Sequence, residues 1–298
     1  MQNSSRQSTA SQSNKEAARL LAPRELKPPV EWAAKNCKQR DNVSELPGSL
    51  RLFQYAQEPV NSLVDPEVQK VTLCWGSQSS KTTSMYAGVA YLLSEFPKDT
   101  LWIMPSAENA RAFSKGRWLP FVEDCTPLRE QCPISAATGR IDSDKITNMR
   151  QEFLSCTLTF AGAGSENNVK SAPIAYLVLD EIDEIEPDIR LAALERIKGR
   201  REYKIIQTST PKDEAGGIWE EYLYGDQRRY FVPCPHCDEM IELQWRQEGP
   251  DGKKRYGIAF DESAKLEDGT WDFDLVARTS YYRCQCCDGK ILDAHKPD

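Results

Sequence analysis

The distribution of apolar and polar positions divides the chain into three stretches. From Pro47 to about Arg229, short and almost uniformly apolar runs alternate with longer stretches of helical character. The runs VTLCW (71–75), TLWIM (100–104), TLTFAG (157–162), AYLVL (175–179) and KIIQT (204–208) predict five strands, several of them nearly uniformly apolar, as strands covered on both faces should be. Their alternation with helical stretches predicts βαβ units around a mainly parallel sheet, an α/β domain. Ahead of it, residues 1 to about 15 are rich in Ser, Gln and Asn and hold too little apolar surface to fold alone. EAARLLAPRELKPPVEWAAKN then predicts a short helix, a break at Pro28 and Pro29, and a second helical segment. This is an arm that docks either on a partner or on its own domain. From Tyr230 onward, aromatic residues, cysteine pairs and the hydrophilic string QEGPDGKKRYG, an exposed hairpin or insertion, predict a second, smaller module. The expected organisation is a partly disordered arm over 1–46, an α/β domain over 47–229 and a cysteine-bearing module over 230–298.

Composition narrows the class. The chain has 298 residues, 40% hydrophobic and 28% charged, ordinary globular usage that excludes a disordered or fibrous chain. No apolar run approaches the roughly 18 residues of a membrane span. The polar start MQNSSRQSTASQSNK has no apolar core of a secretory signal, so a cytoplasmic location is expected. With 38 basic and 45 acidic side chains the net charge is −7, which excludes a uniformly basic nucleic-acid coat and requires any DNA contact to be local.

Three strand ends carry chemistry. VTLCW runs into GSQSSKTTSMYAGVAYLL, a loop of small residues followed by Lys-Thr and a helix. A triphosphate needs this arrangement: backbone N–H groups converge at a helix N-terminus, a lysine reaches the β- and γ-phosphates, and a hydroxyl ligates Mg²⁺. The loop Gly76, Ser77, Gln78, Ser79, Ser80, Lys81, Thr82 and Thr83 is the candidate nucleotide cradle, with Lys81 on the phosphates and Thr82 on Mg²⁺. It departs from G-x-x-x-x-G-K-[ST]: Gly76 lies one residue late and Ser80 stands where the second glycine is expected. IAYLVLDEIDEIEPD delivers Asp180 and Glu181 at the C-terminal end of a strand, where ligands bind in open α/β sheets. Asp180 would hold Mg²⁺ and Glu181 would polarise the attacking water. KIIQTSTPK ends a third strand in hydroxyls; beside the acidic strand, Ser209 and Thr210 would sense the γ-phosphate. The joint order predicts a P-loop NTPase of RecA-like type that hydrolyses ATP.

Four of the ten cysteines, all in the C-terminal part of the chain, form two C-x₂-C pairs, Cys234 with Cys237 and Cys284 with Cys287, each suited to presenting two thiolates to a tetrahedral Zn²⁺. The 46 residues between the pairs exceed the usual spacing, so a ribbon with an insertion at about 247–274 is expected if metal is bound. Cys286 competes with Cys287, and His236 or His295 could substitute. Four thiolates leave no open position, so the role is structural. The remaining cysteines, Cys37, Cys74, Cys125, Cys132, Cys156 and Cys286, are read as small buried hydrophobes.

WGSQSSKTT, LWIMPSAENARAFSKGRWLPFVEDCTPL, FAGAGSENNVKSAPIAYLVLDEIDEI, TSTP, VPCPHCDEMIELQW and YYRCQCCDGKI, in this order, resemble the large subunit of tailed-phage DNA-packaging terminases in the lambda-like GpA branch. The resemblance covers about residues 47–292. It implies a motor that hydrolyses ATP to translocate double-stranded DNA into a procapsid, as a homo-oligomeric ring on the portal protein in the host cytoplasm. A small subunit would bind through the N-terminal arm. It implies Lys81 and Thr82 as phosphate and Mg²⁺ ligands, Asp180 as the Walker B aspartate, Glu181 as catalytic base, and Ser209 and Thr210 as the coupling motif. Relatives carry an arginine near position 170; here it is Lys170, a weaker finger, with Arg111 and Arg117 as rivals. The family's nuclease would lie beyond Asp298, so a piece of a longer machine is expected. Two alternatives stay open: a superfamily-2-type translocase, and an inactive P-loop domain carrying a zinc-ribbon DNA-binding adaptor.

Overall fold

The computed structural model describes residues 26–40, 47–164, 173–212, 216–249, 252 and 255–295. The chain divides into two compact units, Met1–Asp226 and Gln227–Asp298.

The first unit opens with helix α1 (Pro29–Asn36), a two-stranded ribbon of β1 (Lys38–Gln39) and β2 (Gly48–Ser49), and α2 (Gln54–Asn61). Pro29 begins α1, where a missing N–H and a fixed φ suit the first helical turn. Then come β3 (Lys70–Cys74), α3 (Lys81–Glu95), β4 (Thr100–Met104), α4 (Ala107–Phe113), a π-turn over Ser114–Trp118, α5 (Leu119–Asp124) and α6 (Thr126–Glu130). The unit continues with β5 (Arg150–Glu152), β6 (Thr157–Gly162), β7 (Tyr176–Asp180), α7 (Pro187–Leu194), β8 (Lys204–Ser209) and α8 (Gly217–Leu223). The strands order as β3-β8-β7-β4-β6-β5. All neighbours pair in parallel except β5, which runs antiparallel to β6 at the edge. The fold is therefore α/β with a mainly parallel central sheet, and the five expected strands lie within a residue of their predicted limits. Polar β5 (Arg-Gln-Glu) carries no apolar period and was not predicted.

Two cores flank the sheet because successive side chains of a strand point to opposite faces. In β4, Trp102 and Met104 enter one core while Leu101 and Ile103 enter the other; in β7, Tyr176 and Val178 divide from Leu177 and Leu179 in the same way. Helix α3 is buried on nearly every side. The described part of the N-terminal arm covers it: Trp32 donates its indole N–H to Glu95 at 2.7 Å and meets Tyr91 edge-on, and the Tyr91 hydroxyl donates to the Lys27 carbonyl at 3.0 Å. This part of the arm docks on its own domain. The helix expected earlier in the arm lies outside the described residues.

In the second unit, β9 (Val232–Pro233) pairs with β10 (Met240–Ile241). Strands β11 (Arg246–Glu248), β12 (Arg255–Ala259), β13 (Tyr281–Arg283) and β14 (Lys290–Ile291) make an antiparallel sheet, with α9 (Phe273–Thr279) between β12 and β13. β11 and β12 form the expected hairpin around the hydrophilic string. Among the described residues, the buried apolar cluster of this unit is Cys234, Ile241, Tyr282 and Cys284, with Ala264 buried apart from it, too little to stabilise about 70 residues unaided.

None of the helices among the described residues is long and apolar enough to cross a membrane.

At the C-terminal edge of the sheet, β6 ends in Gly162 directly against the start of α4, where an added Cβ would lie 2.0 Å from the Ala107 nitrogen and 2.5 Å from the Ser106 carbonyl carbon. Neither backbone atom can yield. Gly162→Ala is expected to destabilise by about 1–3 kcal/mol and lower Tm by roughly 3–10 °C. Gly116→Ala, with no heavy atom within 4 Å of the new Cβ, serves as the control and should leave the calorimetric melt nearly unchanged.

Candidate functional site

Strand order brings the three predicted strand ends together. β8 lies between β3 and β7, with Cys74 opposite Ser209 and Asp180 opposite Thr208. The Trp75 N–H donates to the Ser209 carbonyl at 3.3 Å, so the loop after β3 leaves the sheet pinned to the end of β8.

Gly76, Ser77 and Gln78 are exposed, and Ser79 and Ser80 are half-buried. Ser80 caps α3 in the left-handed region (φ +58°), and Gln78 is also left-handed (φ +55°). The departure at Ser80 thereby has a physical meaning: the loop keeps the backbone shape that favours glycine and holds a serine in it, at a cost of order 1–3 kcal/mol. The surroundings fix that shape. Both the N–H and the hydroxyl of Ser84 donate to the Ser80 carbonyl, at 2.9 and 3.0 Å, and the Tyr55 hydroxyl donates to the Ser79 carbonyl at 3.1 Å. Ser79 itself donates to the Gly76 carbonyl at 2.6 Å. Lys81 is buried, its ammonium donating to the carbonyls of Gly76 (2.8 Å) and Trp75 (3.3 Å) and to the Thr210 hydroxyl (2.7 Å). Thr82 and Thr83 follow in the first turn of α3, half-buried.

Asp180 is 2% exposed, and its Oδ1 has no hydrogen-bond partner among the described residues. Burial pushes this carboxyl up to about 7, helped by the Glu181 charge and opposed by those of Lys81 and Arg117. An orphaned, buried carboxylate oxygen at the end of a central strand is the group a hard cation such as Mg²⁺ would satisfy. Glu181 is a third left-handed residue (φ +53°), and its carboxylate accepts the Ser209 hydroxyl at 3.2 Å. Ser209 also accepts the Asp183 N–H at 3.4 Å. Motif by motif, Ser209 touches the acidic turn and Thr210 touches the P-loop lysine.

In the second unit, the Sγ atoms of Cys234, Cys237, Cys284 and Cys287 all lie within 4.8 Å of one another, with Cys234 and Cys287 at 3.9 Å. A tetrahedral centre with metal–sulfur bonds of about 2.3 Å needs neighbouring sulfurs roughly 3.8 Å apart, so the donor set fits. The two knuckles repeat one turn. Asp238 and Asp288, each following the second cysteine, are left-handed (φ +59° and +61°), and each donates its N–H to the first cysteine's carbonyl. Cys286 is exposed and is not one of the four clustered sulfurs; its N–H lies 3.3 Å from Cys284 Sγ. The histidines are engaged elsewhere, His236 with the Lys290 carbonyl and His295 with the Leu292 N–H. Burial opposes thiolate formation at Cys284, but the N–H groups of Cys286 and Cys287 bring it down to about 7.

Lys170 lies outside the described residues. Tyr55, which holds the Ser79 carbonyl while packing edge-on to Trp75, escaped the sequence reading; Asp183 belongs to the carboxylate cluster 180–184, but its tie to a partner 35 residues downstream left no signal there.

The family of phage terminase large subunit gpA ATPase domains matches residues 44–298. The large terminase subunit of Enterobacteria phage P21 is 23% identical over 224 residues, 72% of this chain and 34% of that protein. The chain thus spans about a third of the length of that relative. The HK97 bacteriophage large terminase superposes with a TM-score of 0.50 at 11% identity, over 84% of this chain and 50% of that one. The Thermus phage P74-26 large terminase ATPase domain gives 0.44 at 16% identity, over 65% and 82%. With the family match covering the loop 76–83, the ends of β7 and β8 and the cysteine cluster alike, the chain belongs to the phage terminase large subunit gpA ATPase-domain family.

Proposed function

We propose that this chain is the ATP-hydrolysing part of a motor that drives double-stranded DNA into a viral procapsid. One observation carries the reading: three adjacent strand ends present a buried lysine, a buried aspartate with an orphaned oxygen, and two hydroxyls that touch both sides. In it, residues 47–229 form the P-loop ATPase domain, 230–298 a zinc-ribbon-like module and 1–46 an arm.

Lys81 would exchange its carbonyl partners for the β- and γ-phosphates of ATP, and the loop Gly76–Thr83 would wrap them with backbone N–H groups. Thr82 and Asp180 would hold Mg²⁺, which when bound supplies positive charge to the phosphate oxygens. Glu181 orients and deprotonates the attacking water, and Ser209, on the Glu181 carboxylate, holds that side chain in place. Thr210, released when Lys81 turns to phosphate, reports nucleotide occupancy to the end of β8. Lys170 is the candidate cation from a neighbouring subunit in a homo-oligomeric ring. Double-stranded DNA, a portal protein and a small terminase subunit, the last through the N-terminal arm, are the partners of this reading, in the host cytoplasm.

Zn²⁺ on Cys234, Cys237, Cys284 and Cys287 would be structural, stapling a unit whose apolar core is too small to hold it.

Two measurements test this. In a phosphate-release assay with double-stranded DNA present, Glu181→Gln is expected to lose ATP hydrolysis by roughly 10²- to 10⁴-fold while retaining nucleotide binding. Hydrolysis unchanged in Glu181→Gln would contradict the assignment. Elemental analysis of protein purified without chelator should give about one zinc per chain, and its removal by a strong chelator should abolish the cooperative melt of the second unit. Absence of zinc together with an unaltered melt would remove the metal from the account.

A further inference from the structure

The acidic turn after β7 is fastened to a helix that no nucleotide-binding motif includes. Asp183, three residues beyond the strand end, accepts the Ile218 N–H on Oδ1 at 3.0 Å, at the start of α8. The socket is a glycine: Gly217 is left-handed (φ +57°), and a Cβ there would lie 1.3 Å from Asp183 Oδ1. Only a residue without a side chain lets that carboxylate reach the helix end. On its main-chain side, Asp183 donates to Ser209 Oγ at 3.4 Å, the same hydroxyl that donates to the Glu181 carboxylate at 3.2 Å. The far side of α8 is tied to the P-loop strand: Glu221 accepts from Lys70 of β3 at 2.7 Å and from Gln207 of β8 at 2.9 Å, and Gln207 also donates to Thr72 of β3 at 2.9 Å. Helix α8 thus bridges the strand that feeds the P-loop and the turn that carries Glu181.

We propose that Asp183 and Gly217 form a lock that sets the position of Glu181 against the P-loop, making Asp183 a positioning residue for hydrolysis. This rests on the reading of Glu181 as the base. Glu181 sits in a left-handed conformation that its own sequence does not favour, so something outside the turn must hold it. The lock does so from two directions, through Ser209 on the side chain and through α8 on the turn. Phosphate contacts lie on other residues, so losing the lock displaces the base without weakening nucleotide binding.

The test uses the full chain, steady-state ATP hydrolysis and hydrogen exchange. Asp183→Ala removes the acceptor; Asp183→Asn keeps Oδ1 and the shape; Gly217→Ala leaves Asp183 intact but drives its carboxylate out of the socket. Expected are kcat losses of roughly 10- to 100-fold in both alanine variants with KM for ATP within about twofold, recovery to near wild type in Asp183→Asn, and a double alanine variant no worse than the poorer single one. In both alanine variants the Ile218 amide should exchange faster while the sheet amides stay protected. Folded alanine variants with kcat within about twofold of wild type, or Asp183→Asn as impaired as Asp183→Ala, would overturn the lock. Loss of hydrolysis in Glu181→Gln together with unaffected Asp183 and Gly217 variants would sink this inference alone, whereas unaffected Glu181→Gln would sink the reading beneath it.

Discussion

A buried ammonium group organises the first unit. Lys81 lies almost wholly out of water, and an ammonium in that position is tolerable only if its donors are met. They are met by the carbonyls of Trp75 and Gly76 and by the Thr210 hydroxyl, which forces the loop after β3 to fold back over the lysine and forces β8 to end beside it. The strand order follows the same demand: with β8 between β3 and β7, the lysine, the hydroxyls and the acidic turn share one edge. Asp180 is the complementary element, a carboxylate whose burial raises its pKa and leaves one oxygen without a partner among the described residues. A cation and triphosphate are the groups that relieve both at once.

Backbone strain marks the same edge. Gln78, Ser80 and Glu181 are all left-handed without being glycine, two before the α3 N-terminus and one after β7. Such residues persist where neighbours over-determine them. Ser84 and Tyr55 do this for the loop, and Ser209 and Asp183 for the acidic turn. The second unit solves a different problem by other means. Its apolar core is too small for its length, and two matched cysteine turns converge where a larger domain would place leucines and isoleucines.

What was legible in the sequence followed from burial. Strands covered on both faces are forced to be apolar throughout, so β4, β6, β7 and β8 could be delimited from TLWIM, TLTFAG, AYLVL and KIIQT almost to the residue. That Lys81, Asp180 and Ser209 would share one edge of the sheet was legible because each lies at, or in the loop just after, the end of an apolar strand. Polar edge strand β5 was not, because its one fully buried side chain, Gln151, is itself polar and is met by the Trp118 indole N–H rather than by apolar contacts. Asp183 was not, because its partner is a backbone N–H 35 residues away and leaves no side-chain signature. Between the two exposed thiols Cys286 and Cys287 the turn itself decides: with Asp288 left-handed, it is the Cys287 Sγ that joins those of Cys234, Cys237 and Cys284. Ser80 read as a defect in a motif; its left-handed φ shows that the serine adopts the backbone shape a glycine would favour at that position.

The central claim is that Lys81 and Asp180 together form a site for a metal-bound triphosphate. It is tested most directly by titrating the chain calorimetrically with a non-hydrolysable ATP analogue, with and without Mg²⁺. The account predicts saturable one-to-one binding with Mg²⁺ that weakens by roughly tenfold or more when Mg²⁺ is withheld, since Asp180 then meets the phosphates as an uncompensated acid. No binding heat, or an affinity indifferent to Mg²⁺, would contradict it.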